Sequence, residues 1–288
     1  MRYLTFLLSF FIASVSFAQS KGLTGFTFGV QTGFEYISYL ESYVNTDSLP
    51  AKLQGSSTAI VGTFSVEYDL SAQHDIPLFI ALSAGIPLKS FKGEERGTFT
   101  EFQQEYVTQT NDVEHHYSMF RGFLGYKLKP EFSPFVIFER SLFESIRSNL
   151  MEGTDSGVLV RSDDDTTWHE RVWSSHFGAG FQGGIPINEE NTLSIRYRAA
   201  VLLPSSVFVT NDHPKVFNQS GKLGAGTGGI TFLGRVAAHY NWHPRSSVQL
   251  GVNLYTRSWD GDGEIHNAYW PANDMEAIPV LLGFTWSI

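Results

Sequence analysis

Residues 279–288 read PVLLGFTWSI, and this stretch decides the fold. In steps of two from Ile278, one face carries Ile278, Val280, Leu282, Phe284, Trp286 and Ile288. The other carries Leu281, Gly283, Thr285 and Ser287. That is the period of a β-strand. A greasy aromatic strand at the edge of a soluble sheet invites pairing with other chains, so the solvent that its apolar face meets has to be found.

Working outward, the same alternation recurs. GFTFGVQTGFEY aligns Phe26, Phe28, Val30, Phe34 and Tyr36 opposite Thr27, Gly29, Gln31, Gly33 and Glu35. Further strands are predicted over about 57–70, 78–88, 116–129, 134–145, 171–185, 193–201, 230–242 and 248–257. With the two terminal strands they make ten. The segment near 134–145 is ambiguous in parity, which leaves the facing of Glu139 and Arg140 open. Four connections are tight turns, SAQHDIP, KPEFSP, PINEEN and HPRSS, and they alternate with five of about twenty residues or more near 38–57, 89–115, 145–170, 203–229 and 258–276. Structureless loops of that length are uncommon in compact soluble domains. Short turns at one rim and long loops at the other are the habit of transmembrane barrels.

Composition supports this. Charged residues are 17% of the 288, against roughly 25% in a typical globular domain, and aromatics reach 15%. The first residues, MRYLTFLLSFFIASVSFAQS, place Arg2 ahead of an apolar run and a small-x-small site at Ser16-Phe17-Ala18. Residues 1–18 are therefore expected to be a cleavable signal peptide, with a barrel over 19–288. There is no Cys, which excludes disulfides, Cys nucleophiles and Cys-bound metals. A net charge of −9 with no basic stripe argues against nucleic acid as a partner. No segment after the signal has the roughly 18 unbroken apolar residues of a membrane helix. Only a helix or a closed sheet satisfies every backbone group in lipid, so the apolar faces are expected to meet lipid tails and the last strand to pair with the first.

The signal peptide, the alternating strands and the terminal GFTWSI together resemble the small outer-membrane β-barrel proteins of Gram-negative bacteria, in a ten-stranded version. The resemblance covers the whole mature chain. It implies an all-β, up-and-down antiparallel transmembrane barrel, monomeric, with its termini toward the periplasm. It also implies outer-membrane lipid and lipopolysaccharide as surroundings and the barrel-assembly machinery as a partner during biogenesis. In that family the machinery reads a terminal strand with an aromatic last residue. Ile288 departs from this, while Phe284 and Trp286 keep the spacing.

Candidate chemistry lies in three places. Glu35, Glu67, Arg121, Lys127, Arg196, Arg198, Arg235, His239 and Arg257 are expected to face the lumen, as a salt-bridged network holding the interior together or as the lining of a narrow anion-preferring channel. His116 and Ser118 resemble the His-x-Ser pair of outer-membrane lipid A deacylases, with Met119 where that family has Asn. Ten-stranded outer-membrane proteases of the omptin kind use two Asp and an Asp-x-His pair. Here Asp163, Asp164 and Asp165 lie in one loop, and Asp212 stands directly before His213 in another, so base and orienting residue would not share a strand face. Asp260, Asp262 and Glu264 could offer oxygens to Ca²⁺ but lack the remaining positions of a calcium loop. No cofactor is expected. Tyr36, Tyr68, Trp173, Trp242, Trp259 and Trp286 fit interface girdles. The expected function is non-enzymatic binding through the long outer loops, or docking in an envelope protein complex. A narrow channel and an outer-membrane hydrolase are the alternatives, and a periplasmic β-sandwich is the competing fold.

Overall fold

The computed structural model describes residues 24–44, 50–153, 159–161, 167–212, 223–225, 228–259, 264–265, 268–269 and 272–288. The expected signal peptide lies outside them. The ring strands are β1 (Phe26–Val44), β2 (Pro50–Asp69), β3 (Leu78–Phe91), β5 (Gln104–Tyr126), β6 (Ser133–Gly153), β8 (Trp168–Pro186), β9 (Leu193–Asn211), β11 (Ile230–His243), β12 (Ser246–Trp259) and β15 (Ala272–Ser287). Each pairs antiparallel with the next, and β15 returns to β1 from Thr27↔Ser287 to Ser42↔Ala272. The sheet is a closed ring of ten strands and leaves no edge.

The start of β1 and the end of β15 sit at the rim of short turns, where the Gly25 amide donates to the Ile288 carbonyl at 2.7 Å. Phe28 stacks on Trp286 at 5.2 Å across the seam, and Phe284 lies 6.0 Å from Trp286. The terminal aromatics thus clasp the first and last strands on the outer face.

The outer face is zoned by height. From the short-turn rim upward it exposes Phe34, Tyr36, Leu82, Leu124, Val136, Phe177, Leu250, Val280 and Leu282. Above Tyr36↔Ile278 the same face turns polar, with Ser38 opposite Glu276 and Leu40 opposite Asp274. On the other side of the ring Arg140 and Glu144 mark the change on β6. The apolar belt is the solvent match that the alternating sequence demanded.

The long connections are mostly wall. β1 continues to Val44 and β2 begins at Pro50, so the expected loop over 38–57 is largely paired strand. In 89–115, β4 (Gly93–Glu101) carries β3 upward between β2 and β5, and the chain reverses at Phe102-Gln103, both with positive φ. Two such residues suit a tight hairpin turn. A 19-residue strand at about 3.3 Å per residue and a tilt near 40° rises roughly 50 Å, against an apolar band about 25 Å tall. Half the barrel therefore stands above the belt. Alternation persists there, but its outer face is polar, which is why that half reads as loop in a search for apolar stripes. Short pieces β7 (Leu159–Arg161) and β10 (Leu223–Ala225) add to β6 and β9. β13 (Glu264–Ile265) and β14 (Ala268–Tyr269) pair with each other.

Candidate functional site

The lumen has three levels. At mid-height Glu139 of β6, fully buried, gathers the side chains that close it. Arg121 Nε donates to Glu139 Oε2 at 2.6 Å, and the Tyr255 and Tyr117 hydroxyls donate to Oε1 at 3.1 and 3.4 Å. His176 Nδ1 stands 3.5 Å from the same oxygen. The two tyrosine rings pack with centroids 4.8 Å apart, and the Arg121 guanidinium lies over Tyr255. The parity of β6 is settled here, with Glu139 pointing inward and Arg140 outward, over Trp173.

A second tier closes the lumen above the apolar belt, outside the membrane-spanning segments. Arg147 makes a two-pronged pair with Glu95 at 2.5 and 3.0 Å and reaches Glu170 at 3.1 Å and Glu41 at 4.0 Å. Tyr39 donates to Glu41 at 2.6 Å, and Asn111 donates to Glu95 at 3.0 Å. Three carboxylates thus surround one guanidinium. Burial pushes the Glu41 carboxyl up to about 8, with the nearby Glu170 adding to the effect. Burial acts the same way on Glu95, but Arg147 overrides it and holds that carboxyl below the usual range. Between the tiers, Tyr39, Phe143 and His115 pack ring to ring at 5.1, 5.3 and 6.0 Å. Arg257 lies over Trp259 at 3.5 Å and donates to Asn273 at 3.5 Å.

Below the closure is a cavity of about 960 Å³. Tyr117, Met119 and Tyr255 form its ceiling, and Lys129, Pro130, Glu131, Pro186 and Asn191, from the short turns, form its mouth. It therefore opens at the rim of the short turns. Glu35, Glu67, Arg121, Lys127, Arg196, Arg198, Arg235 and His239 line it. Arg257, expected beside them, belongs to the upper packing.

The other candidates fall elsewhere. His116 and Ser118 lie on the outer face of β5, and His116 approaches Glu144 at 3.5 Å and Glu114 at 3.9 Å instead of Ser118. Glu144 also accepts from Arg171 at 2.7 Å, so this is a wall brace above the belt. Asp212 extends the β8–β9 ladder, exchanging hydrogen bonds with the His169 backbone. Asp163, Asp164, Asp165, His213, Asp260 and Asp262 lie outside the described residues, and Glu264 begins the short β13. Among the described residues no group of three His, Asp or Glu side chains is placed to hold a metal ion. Trp259, expected in a girdle, points inward onto Arg257.

Sequence reading missed Glu41, Glu95, Arg147 and Glu170, left the facing of Glu139 open and did not count His176 among the lumen charges. Glu139 was hidden because Phe135 and Ile137 also face inward, against the rule of a small polar lumen. Glu41, Glu95, Arg147 and Glu170 fell in stretches read as loops. The signal was present in β1, where Glu35, Ile37, Tyr39 and Glu41 continue one face.

Solved structures extend the comparison. The outer membrane protease OmpT from Escherichia coli superposes with a TM-score of 0.66 at 11% identity, over 91% of this chain and 96% of that one. The chain has the fold of an outer-membrane β-barrel. The transport unit of the autotransporter AIDA-I from Escherichia coli is more distant, at a TM-score of 0.42, 10% identity and coverage of 94% and 92%. The sequence matches no protein-family model and no curated protein. At 11% identity the likeness to OmpT concerns the fold, and its protease activity does not transfer with it.

Proposed function

We propose that this outer-membrane β-barrel is a non-conducting, non-enzymatic protein of the Gram-negative outer membrane that works by recognition, with the wall above the apolar belt as its outward platform. The carrying observation is the double closure of the lumen by Glu139 with Arg121 and by Glu95 with Arg147. Each tier is buried and ion-paired inside the barrel. A channel needs binding weak enough for an ion to leave again, whereas a fully buried two-pronged pair is a fixed strut. A deacylase of the His-x-Ser kind needs its Ser within hydrogen-bond reach of its base, and His116 pairs with Glu114 and Glu144 instead.

The platform has a defined tip. Phe102, 89% exposed, crowns the β4–β5 hairpin, and below it Phe99 stacks on Tyr106 at 5.1 Å. Lys52 pairs with Glu105 at 2.8 Å, bracing the hairpin against β2 and holding the Glu105 carboxyl below its usual range. An exposed aromatic on a rigid hairpin is a common form of binding anchor.

Planar-bilayer recording of the purified barrel tests the closure, and the expected result is a silent membrane. Stepwise ohmic conductance would overturn it. A photo-crosslinking side chain in place of Phe102 tests the platform in intact cells. A discrete adduct is expected there and none from the same group in place of Glu276, while equal labelling from both positions would remove the hairpin from the proposal.

A further inference from the structure

The cavity below the closure carries an arrangement that structure alone does not favour. Arg198 of β9 and Arg235 of β11 are direct cross-strand partners, and both project into the cavity, with Arg196 two residues along the same face. Like charges directly opposite on a sheet destabilise it. Among the described residues the ion pairs at this cavity are Arg121–Glu139 and Lys127–Asp69, and neither engages Arg196, Arg198 or Arg235.

The pair is nevertheless held in place. Arg198 donates through Nε and one terminal nitrogen to Gln182 Oε1 at 2.9 and 2.5 Å, and Arg235 donates to Gln249 Oε1 at 2.7 Å. The flat face of Arg198 sits over Phe123 at 4.3 Å. A guanidinium has five N–H donors, so a neutral amide oxygen uses part of each fork and leaves both without an ion pair among the described residues, with Glu67 on the cavity wall acting on Arg198 only through space. The planes are fixed while the charges stay open, which is how a receptor for an anion is pre-organised.

We propose that this is a binding site for a phosphate group carried by a small polar molecule that enters from the periplasmic rim. A phosphate monoester carries close to two negative charges near neutral pH, enough to neutralise the facing arginines, and its terminal oxygens suit two guanidinium forks. A bare anion would leave most of the 960 Å³ empty. That volume is within the range of small-molecule sites. The opposite wall offers Glu35, Glu67, Thr63 and Ser65, which accept hydrogen bonds from hydroxyl groups on the body of such a ligand. The closure above makes the site a blind receptor, loaded and emptied through one mouth.

The test uses the full chain, purified in a phosphate-free non-ionic detergent. Phenylglyoxal modification of Arg198 and Arg235 is followed by peptide mass spectrometry with glycerol 3-phosphate, inorganic phosphate, succinate or sodium chloride at matched ionic strength. Glycerol 3-phosphate is expected to slow modification of both arginines about tenfold, the scale of one good polar contact, with inorganic phosphate weaker and chloride without effect. Equal protection by chloride, or none by either phosphate, overturns the site, and equal protection by succinate overturns the phosphate assignment. As a second reading, Arg198→Gln with Arg235→Gln should abolish saturable binding of glycerol 3-phosphate while the heat-dependent gel shift of the barrel persists. Undiminished binding in that variant sinks the proposal. A variant without the gel shift is set aside, since the protection experiment on the unaltered chain decides by itself. Conductance is a separate measurement, so loss of the phosphate site and loss of the closure are told apart.

Discussion

Replacing Arg147 by Met removes the cation that Glu95, Glu170 and Glu41 all approach within 4.0 Å. The Arg147 side chain is 3% exposed and that of Glu95 is 0% exposed, so solvent screening gives little relief. Removing one partner of a buried pair costs about 3–5 kcal/mol, because the other is left uncompensated. With a urea slope of roughly 2 kcal/mol per molar, the unfolding midpoint should fall by about 2 M. The assay is urea unfolding of the lipid-reconstituted barrel followed by tryptophan fluorescence.

The pH dependence carries a definite sign. Without Arg147 the cluster is stable only when its carboxyls hold protons, so their folded pKa values lie above the unfolded value of about 4.3. Stability from a raised carboxyl is fully present below the unfolded pKa and is lost as pH rises through the folded one. Arg147 is what holds Glu95 below the usual range against burial, so without it that carboxyl rises and the deficit of the variant should grow as pH rises above about 4.3. Adding Glu95→Gln should restore part of the loss by removing one buried charge. A deficit under about 1 kcal/mol at pH 7, or one that stays flat between pH 5 and 8, would mean that water reaches these carboxylates and that the upper tier is not dry.

Two further outcomes follow from the same geometry. Glu139→Leu strands Arg121 in the mid-height closure and should cost about 3–5 kcal/mol, whereas the double variant with Arg121→Met should recover most of it; a double variant as unstable as the single would show that shape, not charge, sets the cost. Gly33 lies on the β1–β15 seam, where an added Cβ would fall 1.8 Å from the Val280 carbonyl oxygen. Gly33→Val should therefore abolish the heat-dependent gel shift, and a variant that still shifts would place closure outside this seam.

The strands that cross the lipid belt could be read from sequence because one physical rule governs them. Where lipid covers the outer face, every second residue must be apolar, and Ile278 to Trp286 or Val248 to Leu254 satisfy that without exception. Above the belt the rule lapses. Glu114, His116 and Ser118 face outward on β5 in the same alternation, but polar residues on a water-facing wall look like a loop. Within the lumen, the arginines of β9 and β11 were legible because their neighbours leave no doubt about parity. Glu139 was not, since Phe135, Ile137 and Phe143 on its own face are as apolar as Val136 and Phe138 on the other. The contacts among His176, Tyr255 and Glu139 join residues 37 and 116 positions apart in sequence. No local pattern encodes them.

The vertical order of charge in the lumen follows from where water can go. A guanidinium sealed from solvent is costly unless it is compensated; Arg121 and Arg147 carry Glu139 and Glu95 with them, while Arg257 rests on Trp259 and Asn273. One that faces an open cavity has room for water and need not be ion-paired, as with Arg196, Arg198 and Arg235. Solvation explains why the three are tolerated, but not why two of them face each other across adjacent strands with their planes fixed by Gln182, Gln249 and Phe123. Arginines kept only for solubility at a wet mouth would gain by splaying apart and would be indifferent to orientation. Fixed planes make sense if an anion with several oxygens repays the repulsion when it binds. On that reasoning the empty barrel should become more stable when phosphate is added, and a neutralised Arg198→Gln, Arg235→Gln barrel should be the more stable of the two in phosphate-free detergent. If the paired arginines prove no burden to the empty barrel, they are ordinary lining and the pre-organisation argument fails with them.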